Sequence, residues 1–395
     1  MPSWMYFVLA LAGLLGGYFV YGSIVEKVFG PNPNRPTPAC KMPDGVDYVE
    51  MSPAKVFLIQ LLNIAGLGPV FGPILGALYG PIALVWVVIG CVFAGAVHDY
   101  FSGMLSVRYN GKSVPDIVGY NLGEPIRKLM RVFAVVLLIL VGVVFVAGPA
   151  GLLAQLTGID SMLFVAIIFA YYFLATILPV DKIIGRIYPF FAVLLVFMAV
   201  GLLAALAFKG YTFYSNIEWT TQNPAGLPAW PLVFITIACG ACSGFHATQS
   251  PLMARCISNE KHGRQIFYGA MIAEGVIGLI WVTLGMSFYT DTAALDAALG
   301  PKGNAALVVN NISVELLGAF GGALAVLGVV VLPVTSGDTA FRAARLTIAD
   351  AIGYDQRPHK NRLMIAVPLF VVGVALNFIP FGMLWRYFGF ANQAL

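Results

Sequence analysis

Residues 237–251 read Ile-Ala-Cys-Gly-Ala-Cys-Ser-Gly-Phe-His-Ala-Thr-Gln-Ser-Pro, and they lie inside an apolar run that covers residues 231–254. The run is long enough to span a bilayer. Gly240, Gly244 and Pro251 nevertheless weaken a helix in this run, and polar side chains lie among them. Because an unpaired backbone group is costly in hydrocarbon, a helix that breaks here must be buried in protein or face a water-filled cavity. The polar residues favour the cavity.

A second apolar segment is interrupted in the same way. Residues 61–73 read Leu-Leu-Asn-Ile-Ala-Gly-Leu-Gly-Pro-Val-Phe-Gly-Pro. Its two Gly-Pro steps predict a true break, and the alternative is a kink that lets small residues pack closely on a neighbouring helix. Two interrupted spans in the two halves of a chain are typical of a transporter binding site.

The composition limits the class of protein. The chain has 395 residues, of which 59% are hydrophobic and 10% are charged, and its mean hydropathy is +0.87. These values exclude a soluble domain and indicate an all-α polytopic membrane protein. Its expected surroundings are the lipid bilayer and a small-molecule substrate, with no nucleic acid. The sequence does not determine the oligomeric state.

Apolar runs predict about eleven transmembrane spans. They lie at residues 4–26, 54–79, 82–107, 130–154, 160–178, 187–208, 231–254, 265–289, 305–333, 363–378 and 380–395. If the N-terminus is outside, every basic residue except Lys209, Lys302 and Arg386 falls on the inner side or at an inner helix end. The positive-inside rule requires such an asymmetry. We therefore predict a multi-pass protein of the plasma (inner) membrane.

The spans also predict a division of the chain. An extra N-terminal transmembrane helix (1–29) and an inner Pro-rich loop (30–53) precede a first five-helix repeat (54–208), an outer loop (209–230) and a second five-helix repeat (231–395). Each repeat has an odd number of spans, so the two have opposite orientations, and a broken helix leads each one. This layout looks like the 5+5 inverted repeat of LeuT/APC-like transporters.

Several motifs are specific enough to indicate a family. They are Asn34-Arg-Pro-Thr-Pro-Ala39, Asp44-Gly-Val-Asp-Tyr48, Leu62-Asn-Ile-Ala-Gly-Leu-Gly-Pro69, Ala94-Gly-Ala-Val-His-Asp-Tyr100, Ser243-Gly-Phe-His246, Ala273-Glu274 and Val334-Thr-Ser-Gly-Asp-Thr-Ala-Phe-Arg-Ala-Ala-Arg345. Over nearly the whole chain these residues resemble the carbon starvation protein family (CstA). The resemblance implies uptake of peptides or, in some members, of pyruvate with protons. Family members usually continue with further helices, so we expect this C-terminus to be shortened.

We expect polar side chains and freed backbone at the two breaks to bind the substrate. The predicted substrate-binding residues are Asn63, Ala65, Gly66, Gly68, Gly240, Ser243, Gly244, His246 and Gln249. Among them, His246 is the only histidine near the middle of a span, where it would bind substrate or carry a proton. The alternative for His246 is a hydrogen bond between helices.

A second group of residues is predicted to couple transport to an ion. It comprises Ile64, Leu67, Thr335, Ser336, Glu274, His98 and Asp99. Carbonyls of the first break and hydroxyls at the inner end of the ninth span are hard oxygen ligands that suit sodium. Carboxylates in a span must be protonated or paired, which favours a role in proton coupling. The alternatives are a helix cap or an ion pair of Asp99 with Arg108, and pairing of Asp338 with Arg342.

Other classes of function have weaker support. Cys239, Cys242 and His246 have a spacing that could hold zinc, but a fourth ligand is not obvious, so we expect no metal and no cofactor beyond a coupling proton or sodium ion. The chain has no H-E-x-x-H motif, which argues against a membrane-embedded enzyme, and no filter-like motif, which argues against a channel. The predicted function is secondary active import of small peptides by alternating access, with a pyruvate/proton symporter as the alternative.

Overall fold

The computed structural model describes the chain except for residues 1–2, 45–47, 178–179, 215–218, 220–222, 301–303 and 357, and it describes only the backbone of residues 177, 180–189 and 325–327. The described part is helical and contains no β-strand, only an isolated bridge between Met51 and Ile257. Lys302, predicted on the outer side, and part of the Asp44–Tyr48 motif lie outside the described residues.

The described residues of the first half form nine helices. They are α1 (Trp4–Phe29), α2 (Pro38–Lys41), α3 (Pro53–Ala65), α4 (Gly68–Gly76), α5 (Ile82–Arg108), α6 (Val114–Leu122), α7 (Glu124–Thr157), α8 (Ser161–Ile177) and α9 (Val180–Phe208). Single π-helical turns interrupt α1 and α5 without ending them. The longest helix, α7, begins with proline in its first turn and ends at Gly158 in the left-handed conformation.

In the second half, the part of the chain that the structure describes forms eight helices. They are α10 (Ala229–Thr236), α11 (Gly244–Ala254), α12 (Glu260–Phe288), α13 (Thr292–Leu299), α14 (Ala305–Val326), α15 (Leu332–Ile352), α16 (His359–Leu376) and α17 (Phe381–Ala394). Seven of the described helices are long and apolar enough to cross a membrane, or eight if α3 and α4 form one span bent by 46°. The other predicted spans coincide with the shorter α8, with α10 and α11 together, and with α17.

Both predicted helix breaks are present in the structure. The first lies between Ala65 and Gly68, where Gly66 has a φ of 41° that other residues rarely adopt. The second lies between Thr236 and Gly244, where Gly240 has a φ of 88°. Each break therefore contains a glycine at a position that requires one.

The two breaks pack directly against each other. A Cβ atom on Gly68 would overlap the side chain of Cys239, and one on Gly72 would press on the carbonyl oxygen of Thr236. Gly240 in turn lies against Pro69. Glycine thus lets the backbones of the two interrupted spans approach closely, as small residues do at helix interfaces in membranes. The space between the breaks is filled by this contact.

The chain stays helical well past residue 333, the predicted end of the ninth span. Helix α14 bends at Gly318, whose φ is 65°, and a π-helical turn then joins it to α15, which continues to Ile352. The polar residues that indicated an aqueous end are buried, and Asp338 pairs with Arg342 at 3.8 Å, as the alternative interpretation predicted. Because α15 packs along α7, these polar groups are covered by protein.

The Pro-rich loop before α3 docks on the segment that leads into α12. The backbone N–H of Asn32 donates to the buried Glu260 at 2.8 Å, and Arg35 and Arg108 lie 3.3 and 3.8 Å from the same carboxylate. The backbone N–H of Met51 donates to the carbonyl of Cys256 at 3.2 Å. Arg108 therefore pairs with Glu260, and the ion pair with Asp99 that the sequence left open is not formed.

The contact between the breaks predicts the effect of a single methyl group. Replacing Gly68 with Ala should lower the stability of the protein by about 1–3 kcal/mol, the usual cost of overpacking, because the new Cβ meets Cys239. Thermal unfolding of the purified protein in detergent measures this. The matched control is Gly151→Ala in α7, where the added Cβ meets nothing within 4 Å and stability should stay the same or rise. An equal loss in both variants would contradict the close contact.

Candidate functional site

Three ionisable side chains from three helices meet beside the second break. His246 from α11 lies between Asp99 from α5 and Glu274 from α12, and all three are fully buried. Its Nδ1 lies 2.9 Å from Asp99 Oδ2, and its Nε2 lies 3.3 Å from Glu274 Oε2. We call these three residues the buried ionic cluster. The sequence had marked each of them separately, but it could not show that they meet.

The cluster is bonded to the backbone of the break and to one further histidine. The N–H of Gly240 donates to Glu274 Oε1 at 3.1 Å, so the carboxylate pairs a backbone group that the interrupted helix leaves free. His98 Nδ1 lies 3.0 Å from Asp99 Oδ1, and its side chain is partly exposed. The predicted pair His98–Asp99 is therefore formed and is continuous with His246.

A second polar group lies along α3 and α11, which pack together. Gln60 and Asn63 of α3 and Gln249 of α11 are buried, and their amide oxygens have no hydrogen-bond partner among the described residues. Ser250 links this group to the cluster, since it receives a hydrogen bond from Gln60 Nε2 and donates to the carbonyl of His246. Buried acceptors without a donor are uncommon, which makes these amides candidate ligand contacts.

The predicted hydroxyl group on α15 reaches the first break. Ser336 Oγ lies 3.1 Å from the carbonyl oxygen of Leu62, and Thr335 Oγ1 donates to Leu332 within its own helix. The carbonyl of Leu67, predicted to ligate a cation, instead accepts N–H groups of Val70 and Phe71 in the first turn of α4. Ile64, Ala65 and Gly66 are buried at the end of α3, where the ring of Phe145 lies against Gly66.

The structure changes the membership of the possible metal group. Cys239 Sγ, a ring nitrogen of His246 and a carboxylate oxygen of Glu274 all lie within 4.8 Å of one another. Cys242 is not in this group, although the sequence spacing had included it. The spacing assumed a continuous helix, whereas the backbone turns at Gly240 and directs the two cysteines differently.

Asn392 and Gln60 were not predicted from the sequence. Asn392 of α17 is buried, and its Oδ1 accepts from Ser243 Oγ at 2.6 Å and from the N–H of Phe245 at 3.1 Å. It therefore satisfies the first turn of α11, and Gly244 packs against the same helix. An Asn near the end of the last, largely apolar segment was the available signal, but nothing in the sequence showed which helix it would face.

Comparison with known proteins identifies a family whose sequences match this chain. A family model for carbon starvation protein CstA matches residues 3–155 and 148–300. A membrane protein of Haemophilus influenzae is 50% identical over 349 residues, which cover 75% of this chain and 94% of that protein. The peptide transporter CstA of Campylobacter jejuni is 28% identical over 69% of this chain and 48% of that protein. The pyruvate/proton symporter BtsT of Escherichia coli is 29% identical over 65% of this chain and 45% of that protein. The chain spans about half the length of these two transporters.

Comparison with solved structures establishes the fold. A manganese transporter of Eremococcus coleocola has a TM-score of 0.55 at 15% identity, and the match covers 89% of this chain and 80% of the transporter. MhsT in complex with L-phenylalanine has a TM-score of 0.56 at 13% identity, with 87% and 88% covered. Both have the LeuT fold, so the predicted fold class is confirmed. At such low identity the likeness says nothing about substrate.

The contact between Ser243 and Asn392 predicts energetic coupling between α11 and α17. In a double-mutant cycle, Ser243→Ala and Asn392→Ala should be coupled by about 0.5–2 kcal/mol, because each removes the same hydrogen bond. The free energy of unfolding in detergent is measured for the two single variants and the double variant. The control pairs Ser243→Ala with Asn377→Ala, whose amide donates to Gly373 of its own helix, and these two effects should add. Additivity in both pairs would exclude the coupling.

Proposed function

The chain belongs to the carbon starvation protein CstA family, and from that premise we propose that it is a secondary active transporter that imports small peptides. We place it in the plasma (inner) membrane with its N-terminus outside. The family match, the named transporters among its relatives and the LeuT fold support this function. Each of those relatives is longer than the part that matches, so the substrate and the coupling ion are proposals for this chain.

The observation that carries the proposal is the contact between the two helix breaks. Gly68 leaves room for the side chain of Cys239, and Gly240 lies against Pro69, so the two interrupted spans approach each other closely. In alternating access, the two sets of helices move against each other around this point and expose it to one side at a time. The packed arrangement described here corresponds to a closed stage of that cycle.

The amide groups beside the first break favour a peptide over pyruvate. The side-chain oxygens of Gln60, Asn63 and Gln249 are hydrogen-bond acceptors, and a peptide offers them ammonium and amide N–H donors. Pyruvate has no N–H group. Gly240 and Ser243, which the sequence assigned to the substrate, already have protein partners. Pyruvate remains the alternative because a relative is a pyruvate/proton symporter.

The proposed coupling ion is sodium or a proton. For sodium, Ser336 Oγ and the carbonyl of Leu62 provide two adjacent oxygen ligands at the first break. Oxygen atoms suit such a hard cation. For a proton, the support is that the Escherichia coli relative is a pyruvate/proton symporter. The protein is proposed not to be an enzyme. Passive flux of substrate at a high rate would indicate a channel and not a carrier.

Uptake into proteoliposomes tests the substrate. Labelled dipeptide should accumulate against its gradient, saturate with concentration, and be inhibited by other di- and tripeptides but not by pyruvate. Gln249→Leu should raise the peptide concentration for half-maximal uptake about tenfold or more, since one lost acceptor for an ammonium group is worth roughly 1.5–3 kcal/mol. Pyruvate uptake that peptides do not inhibit would support the alternative substrate.

Replacement of one hydroxyl group tests the coupling ion. If sodium drives uptake, Ser336→Ala should raise the sodium concentration for half-maximal uptake at least tenfold, because a ligand at the first break is lost. The matched control is Thr347→Ala on the same helix, since the Thr347 hydroxyl donates to the carbonyl of Ala343 in its own helix. Uptake that follows the proton gradient and ignores sodium in every variant would exclude the sodium site.

A further inference from the structure

In the buried ionic cluster two polar atoms face each other at the distance of an ion pair but without a hydrogen bond. His246 Nε2 and Glu274 Oε2 are 3.3 Å apart, yet neither has a hydrogen-bond partner among the described residues. Both side chains are fully buried. An unpaired nitrogen and an unpaired carboxylate oxygen in a dry interior are costly, so this juxtaposition requires an explanation.

The other bonds of the cluster determine what can lie between these atoms. Asp99 Oδ2 lies 2.9 Å from His246 Nδ1 and, as a carboxylate, can accept a proton donated there, so a neutral His246 that donates to Asp99 has its lone pair at Nε2. Glu274 uses its other oxygen to accept from Gly240. A carboxylate behind the distal nitrogen of a histidine is the usual support for a metal-binding imidazole.

Cys239 adds a sulfur ligand to the nitrogen of His246 and the oxygen of Glu274. Cys239 is fully buried and its Sγ lies with the His246 and Glu274 ligand atoms inside 4.8 Å. In a tetrahedral zinc site, nitrogen and oxygen ligands at about 2.0–2.1 Å from the ion are separated by about 3.3–3.4 Å. The observed separation of 3.3 Å between Nε2 and Oε2 agrees with this distance between two ligand atoms. A thiolate, a carboxylate and a neutral imidazole also balance the charge of a divalent ion in an apolar interior.

We propose that Cys239, His246 and Glu274 bind one divalent transition-metal ion of the zinc class. The sulfur and nitrogen ligands exclude magnesium, calcium and sodium, which take oxygen. Three protein ligands leave a fourth position for water or an anionic group of a small molecule. Because Cys239 precedes Gly240 and His246 follows it, the ion ties both sides of the second break to α12.

Cobalt substitution tests the site through the thiolate. The purified chain in detergent, stripped with a chelator and titrated with Co²⁺, should bind one equivalent and develop a sulfur-to-cobalt absorption band in the near ultraviolet. Zn²⁺ should abolish the band at one equivalent. Cys239→Ser should lose the band, whereas Cys242→Ser, its partner in the sequence motif but outside the cluster, should keep it. The band in Cys239→Ser or its absence in the wild type would overturn the proposal.

A second variant covers the case in which Cys239→Ser does not fold. Glu274→Gln keeps the shape of the side chain but weakens the oxygen ligand, so it should keep the cobalt band and lower the affinity for Zn²⁺ at least tenfold in competition with a chromophoric chelator. A monodisperse profile in size-exclusion chromatography confirms that each variant is folded. Unchanged zinc affinity in folded Glu274→Gln would exclude Glu274 as a ligand and the proposed site with it.

Discussion

The requirement that every backbone polar group be paired inside the bilayer governs this structure. Two spans are interrupted, and each interruption frees N–H and C=O groups that hydrocarbon cannot satisfy. At the second break, side chains from other helices form hydrogen bonds with the free backbone groups. Glu274 accepts from Gly240, Trp86 donates to the carbonyl of Ile237, and Gln393 donates to that of Cys242. At the first break Ser336 lies against the carbonyl of Leu62. The breaks therefore hold the helix bundle together.

This pairing explains why ionisable residues can lie at the centre of an apolar protein. Glu274 is at once a backbone acceptor and a neighbour of His246, and Asp99 joins His246 to His98. A carboxylate with several such partners is far less costly to bury than an isolated one. The same groups that satisfy the break are then available for chemistry, whether they contact a proton, a metal ion or a substrate.

The sequence predicted the class, the fold and the two breaks because these depend on local signals. Gly68-Pro69 and the glycines around Cys239 interrupt a helix whatever surrounds them, and long apolar runs identify spans. The contacts between helices were not predictable in this way. Asn392 and Gln60 carried no local signal of their partners, and Cys242 was grouped with His246 only because a straight helix was assumed. The sequence also did not show that Thr335, Ser336 and Asp338 are buried, because their surroundings depend on helices that are distant in the chain.

Helix α12 differs from the other spans in how little of it meets lipid. In its most apolar stretch 89% of the residues are buried inside the protein, against 22–50% for the other long spans. Hydrophobic mismatch acts on helices through the acyl chains that they touch, by changing their tilt or thinning the bilayer around them. A change in acyl-chain length therefore acts first on the peripheral helices, and it reaches Glu274 only through their movement against α12.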